Sequence, residues 1–381
     1  MLNFINYLLN GLSLGCIYAL IAVGYTMVYG IIKLINFAHG EFYMIGAYVG
    51  FYVLIALGGG KYVEGEFDAN GQDMGYAPLL LAMLCAAIAT GLFAVIVERI
   101  VYRPLRKSGR IVALLAALGV SLFLQNAGQE LLGAKDRTFI HTISTQRYPR
   151  WTVDPQELHG GDIATSDIAL VYSRPEQPGQ VTLIDNVATR GNPISERSLK
   201  RMNRVLETAR QNKMEATVYA YPPVTVSNRQ GLIVLALLVC AGALYLIVQH
   251  TRFGRAMRAV SHDFEAAALM GINVDHVIAG TFFIGAFVAG IGGTLAGGMC
   301  YSIKPLMGLM PGLKAFVAAV VGGIGSIPGA LLGGILLGIA ENLVQAYFSS
   351  LYSDAFTFTL LILVLLIRPS GLLGRPPSDK V

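Results

Sequence analysis

The residues able to do chemistry in this chain are few, and most of them interrupt apolar runs. Asn36, His39 and Glu41 fall together in LINFAHGEFYMIGAY, a few residues after Lys33. Ionisable groups at membrane depth are costly, so they line water, pair with one another or reach the headgroups. This cluster has two readings: a lining for a gate or pathway, or a Glu and a Lys at a helix end with His39 capping a carbonyl. Gln125 and Asn126 begin a second group that ends at Gln129 and Glu130, and Glu341, Asn342 and Gln345 form a third. Glu341 and Gln345 are four residues apart, which puts them on one helical face. Polar lining of this kind suits passage of a polar solute, and it also suits hydrogen bonding between helices. Bond-making chemistry is not indicated. The chain has no GxxxxGK[ST] phosphate loop and no HExxH, so no catalytic residue is expected, and a process driven by ATP must borrow its motor. Cys16, Cys85, Cys240 and Cys300 lie far apart with no metal-ligand spacing, and neither a metal nor a bound cofactor is expected.

These groups need elements to hold them, and composition names the class. Of 381 residues 54% are apolar and 13% charged, with 44 glycines. Such a chain is an all-α polytopic membrane protein rather than a soluble domain. Hydropathy places spans near residues 9–32, 34–57, 76–98, 111–133, 231–250 and 277–300, then a short Leu313–Val321 segment, Ala330–Phe348 and Phe356–Ile367. That gives eight transmembrane helices, or nine if the Leu313 segment crosses. GGIGSIPG and LINFAHGEF read as interrupted segments, a device of transporter interiors.

Charge sets the sidedness. Lys33, the Arg99 to Arg110 cluster, Arg252, Arg255, Arg258 and the tail hold 12 of the 15 basic residues outside the long insertion, and all fall on one side if nine segments cross. The positive-inside rule makes that side cytosolic. Residues 134–229 hold 23 of the 51 charged residues and divide the membrane part into 1–133 and 230–381. On this parity the insertion is periplasmic, and IALVY, QVTLI, a polar helix around SERSLKRMNRVLETARQNK and ATVYAYPPVTV suggest a small α/β appendage. A partly disordered insert is the alternative. RYPRW and RPEQPGQ read as turns, and Trp151 as a core or interface anchor. The modest charge of +5 calls for a lipid bilayer and for no nucleic-acid partner.

The cytosolic loop 252–275, RFGRAMRAVSHDFEAAALMGINVD, is organised for contact. Its three arginines recur every three residues; Asp263 is placed to cap a short helix over 264–270, with Glu265 in the first turn and Gly271 ending it in the left-handed conformation. The EAA spacing before Gly271 resembles the coupling motif of ABC importer permeases, and by that resemblance Glu265, Ala266, Ala267 and Gly271 would contact an ATPase. GLSLGCIYALIAVGYTMVYGIIKLINFAHGEFYMIGAY, ERIVYRPLR, FLQN, RFGRAMRA with EAAALMGIN, KAFVAAVVGGIGSIPGALLGGILLGIAE and LLILVLLIRPSGLLGR extend the likeness. In this order they resemble the LivH family of branched-chain amino acid ABC permeases over about three quarters of the chain. The insertion departs from that family, whose external loop is usually much shorter. The resemblance implies a bacterial inner-membrane subunit, a LivM-like sister permease, two cytosolic ABC ATPases that hydrolyse the ATP, and a periplasmic binding protein delivering Leu, Ile or Val. Related permeases serve urea, short amides or other amino acids. A secondary transporter would explain the broken helices but leaves the EAA-like loop without a purpose, and a membrane enzyme lacks its catalytic set.

Overall fold

The computed structural model describes residues 2–58, 61–63, 66–68, 75–106, 108–139, 147–148, 151–152, 167–173, 183–188, 195–211, 215–221, 226–300 and 302–374. In lipid a backbone must satisfy its own hydrogen bonds, so the apolar runs form helices. They are α1 (Leu2–Ile32), α2 (His39–Ala56), α3 (Tyr76–Val97), α4 (Arg103–Leu105), α5 (Arg110–Leu132), α7 (Asn228–His250), α10 (Val274–Cys300), α11 (Leu309–Gly322), α12 (Ile327–Tyr347) and α13 (Tyr352–Ile367). A π turn over Glu98–Tyr102 joins α3 to α4 without a break. Among the described residues six helices are long and apolar enough to cross a membrane: α1, α3 with its extension, α5, α7, α10 and α12. The 18-residue α2, 14-residue α11 and 16-residue α13 are shorter. The chain is a multi-pass membrane protein.

Glycine sets the packing, because helices in lipid associate through close approach of small residues. A side chain at Gly338 would strike the backbone of Gly15, and one at Gly334 that of Ala19, so α12 runs antiparallel against α1. Gly46 lies on Gly290 and Gly50 on Thr294, which makes α2 parallel to α10. Two hydroxyls add ties to α10: its own Thr294 donates to the Gly46 carbonyl of α2 (3.2 Å), and Thr90 of α3 donates to the Ala286 carbonyl (3.1 Å).

One interruption falls in LINFAHGEF as expected, but it delays the start of the second span, and the other does not fall at GGIGSIPG. Residues 33–38 are not helical, with Lys33 exposed at φ 58°, so the second span begins at His39 rather than at residue 34. His39 lies beside Gly24 and Gly285, well inside the ends of α1 and α10. Its counterpart is not GGIGSIPG. That stretch is a tight reversal from α11 to α12, in which Gly323 (φ 111°) takes a backbone closed to other residues and the Ser326 hydroxyl accepts from the Gly329 N–H. The second interior start is that of α11, where Gly308 and Gly312 press on Gly40. Two half-length helices thus begin against each other and run toward opposite ends of the bundle.

In the insertion, β6 (Asp167–Ser173), β7 (Leu183–Ala188) and β8 (Glu215–Tyr221) form an antiparallel sheet with β5 (Trp151–Thr152) in the order β5-β8-β6-β7, and α6 (Glu196–Gln211) packs on β7 and β8. RPEQPGQ and the Trp151 side chain lie outside the described residues. The bundle extends past the expected boundary at residue 133: β3 (Arg137–Thr138) pairs with β10 (Ser302–Ile303), and Phe139 is buried against Phe51 and Gly297.

Candidate functional site

At the end of the bundle that gathers the basic residues, two short helices bridge α7 and α10. In α8 (Arg252–His262) the Thr251 hydroxyl accepts from the Gly254 N–H, while Gly254, Met257 and Val260 are buried and Arg252, Arg255 and Arg258 are exposed. Burial and charge share a three-residue period, so one face sits on α1 and α10 and the other is a basic stripe. In α9 (Phe264–Leu269) the Asp263 carboxylate accepts from the N–H groups of Glu265 (2.8 Å) and Ala266 (3.1 Å), and Gly271 at φ 82° closes the turn, as its spacing predicts.

The face of α9 differs from the expected one. Glu265 and Ala266 are exposed and Gly271 ends the exposed ridge, but Ala267 is 4% exposed and packs on the chain's own core. Its methyl is covered by the chain itself, because the six-residue helix turns one side inward to be held. The outward side is apolar: Leu269 is 88% exposed, Met270 83% and Phe264 40%. Large apolar side chains presented in polar surroundings mark an interaction site. Sequence reading missed Leu269 and Met270, since a Leu-Met pair in a helix reads as core until the direction of burial is known.

A charged clamp holds the base of this surface. Asp275, in the first turn of α10, takes Arg103 and, at 2.6 Å, Arg106, and Arg106 also binds the buried Glu98 of the π turn. These arginines read as topological charges in the sequence; their pairing across 169 residues left no local trace.

The interior groups separate into two networks. Asn36, His39 and Glu41 are all buried, so none reaches the headgroups. Asn36 accepts from the Tyr102 hydroxyl (2.6 Å) and the Ala38 N–H (3.1 Å), and His39 sits between Tyr25 and Phe42 with ring centroids at 4.8 and 5.8 Å. Glu41 accepts from Gln125 (2.8 Å) and Ser121 (3.1 Å) of α5. It also occupies the first turn of α2 beside Gly308, where α11 starts. Two helix N-termini therefore face its carboxylate, and their dipoles favour an anion there. Asn126 stays apart: it is exposed and donates to Leu122 of its own helix.

In the second network Glu341 accepts from Lys314 of α11 (2.6 Å), Ser353 of α13 (2.7 Å) and Gln345 (3.1 Å). Lys314 also pairs with Asp354 at 2.7 Å. The Glu341 and Gln345 face is as expected from their spacing, but Lys314, Ser353 and Asp354 were missed. A lone lysine in LKAFVAAVV was the available signal, because a cation in an apolar run requires a partner.

Residues 7–171 and 197–365 match the family described as "Branched-chain amino acid transport system / permease component", with the break inside the insertion. The chain is 39% identical over 380 residues to the high-affinity branched-chain amino acid transport system permease protein LivH of Escherichia coli K12, covering 100% of this chain and 98% of the relative. The corresponding protein BraD of Pseudomonas aeruginosa is 37% identical over 379 residues with the same coverage. A shorter likeness, 32% over 115 residues and 29% of this chain against 31% of the relative, joins it to the fructose import permease protein FrcC of Rhizobium meliloti. No solved structure matches the chain significantly.

Proposed function

This chain belongs to the branched-chain amino acid transport system permease family, and we propose that it lines the membrane pathway of an ATP-driven importer of leucine, isoleucine and valine. The exposed apolar ridge of α9 carries the reading. A capped helix that turns Phe264, Leu269 and Met270 outward beside three exposed arginines suits a groove on a soluble partner, and a cytosolic ABC ATPase fits that role. Glu265, Ala266 and Gly271 belong to the same surface. The pathway role falls to the two interior networks, with Asn36, His39, Glu41 and Gln125 at the meeting of the half-helices and Glu341 and Gln345 near α13. Nucleotide is bound by two ATPase subunits and not by this chain, a LivM-like sister permease completes the membrane part, and a periplasmic binding protein delivers the amino acid. The insertion lies on the periplasmic side and loop 252–275 on the cytosolic side.

The test is uptake into proteoliposomes that hold the assembled importer, with ATP inside and loaded binding protein outside. Labelled leucine is expected to accumulate only with ATP, and isoleucine and valine to compete where urea and acetamide do not. Competition by urea or acetamide overturns the substrate assignment, and accumulation without ATP overturns the importer class.

A further inference from the structure

Helices α1, α2, α10, α11 and α12 line a half-open cavity of about 500 Å³, with Asn10, Tyr18, Tyr43, Glu341, Asn342 and Gln345 on its polar side and apolar groups of α1 and α10 elsewhere. This is the size of a small-ligand site, with many apolar and few polar walls. Glu341 is 2% exposed, and all three of its hydrogen bonds fall on Oε1, from Lys314, Ser353 and Gln345. Its Oε2 is buried and accepts no well-formed hydrogen bond, with the Tyr18 hydroxyl as the neighbouring donor on the cavity wall. Lys314 is shared with Asp354, so one cation faces two carboxylates and the cluster keeps an excess negative charge.

We propose that Glu341 is the subsite for the α-ammonium group of an amino acid in transit, an inference that rests on the amino-acid permease reading above. An ammonium carries three donors and a positive charge, and Oε2 lacks a well-formed hydrogen bond in a cluster with charge to spare. A buried acceptor left poorly paired costs free energy, which a cation entering the cavity recovers. The apolar wall takes the side chain. A purely structural ion pair would need neither the poorly paired oxygen nor the adjoining space.

Cys300 reports on this cavity because it lines it and is exposed, whereas Cys16 and Cys240 are buried. Cys85 is replaced by serine, and labelling of Cys300 by impermeant methanethiosulfonates is followed in right-side-out vesicles holding the assembled importer. Leucinamide, a cation with the ammonium, at twice its dissociation constant should slow labelling about threefold. 4-Methylpentanoate, which lacks the ammonium, should not. The trimethylammonium reagent should react roughly tenfold faster than the sulfonate one, as expected in a negatively charged cleft. Glu341→Gln should abolish the protection and bring the two rates together. If that variant does not assemble, the two-ligand comparison on unaltered Glu341 decides alone. Equal protection by both compounds, protection by neither, or no labelling from outside overturns the proposal. ATP-dependent leucine uptake is measured in the same vesicles: uptake without selective protection removes the subsite alone, and absent uptake removes the permease reading and the subsite with it.

Discussion

Replacing Leu269 by alanine should weaken binding of the ATPase subunits without harming the chain itself. The side chain is 88% exposed, so its truncation removes almost no internal packing, and the stability of the permease should stay within about 0.5 kcal/mol. If the side chain becomes fully buried in the partner's groove, the change takes three carbons out of that contact. At ~0.8 kcal/mol for each buried carbon the loss is about 2.4 kcal/mol. That corresponds to roughly 60-fold weaker binding. Met270 is nearly as exposed and should behave alike, whereas Ala267→Arg should impair the permease's own packing, because that methyl is already covered. The assay is titration of purified ATPase against immobilised permease complex, with the stability of each variant followed by thermal unfolding in detergent. Unchanged affinity for Leu269→Ala and Met270→Ala, with normal assembly, would falsify the docking role of α9.

Gly271→Val should uncouple transport, since φ 82° costs an ordinary residue about 1–2 kcal/mol and a β-branched one more. Gly271→Asn should be milder, because asparagine enters that region readily and nothing crowds the position; substrate-stimulated ATP hydrolysis distinguishes them. Arg106→Met leaves the 2% exposed Glu98 without its cation and should destabilise by about 3–5 kcal/mol, lowering the thermal midpoint. Adding Glu98→Gln should recover most of the loss, and a double variant no better than the single would refute the clamp. Replacing residues 141–225 by a short polar linker should leave ATP-dependent uptake measurable. Phe139→Ala in the same background should cost about 3–5 kcal/mol, since that ring fills a site against Phe51 and Gly297; equal stability of the two would place residue 139 outside the bundle.

Much of this protein is legible without a structure because membranes impose one-dimensional rules. Apolar runs of sufficient length had to become helices, and the caps at Asp263 and Gly271 act within a single turn, so their chemistry is written in adjacent residues. Glu341 and Gln345 share a face for the same local reason. Family motifs are likewise linear and survive in order along the chain. What tertiary structure alone decided depends on residues far apart. Hydropathy averages over a window, so it ran the second span through residues 34–38 and set a break at GGIGSIPG. The apposition of Gly40 with Gly308 puts one interior helix start within LINFAHGEF, as the sequence suggested, and the other at α11 rather than at GGIGSIPG. Burial direction turned Ala267 inward and Leu269 outward on one short helix, a choice made by the surface on which α9 sits. Glu41 with Gln125, Arg106 with Asp275, and Lys314 with Glu341 and Asp354 are partnerships across 27 to 169 residues. Their energies come from Coulomb attraction and shared desolvation, which depend on distance in space and leave no periodicity in sequence.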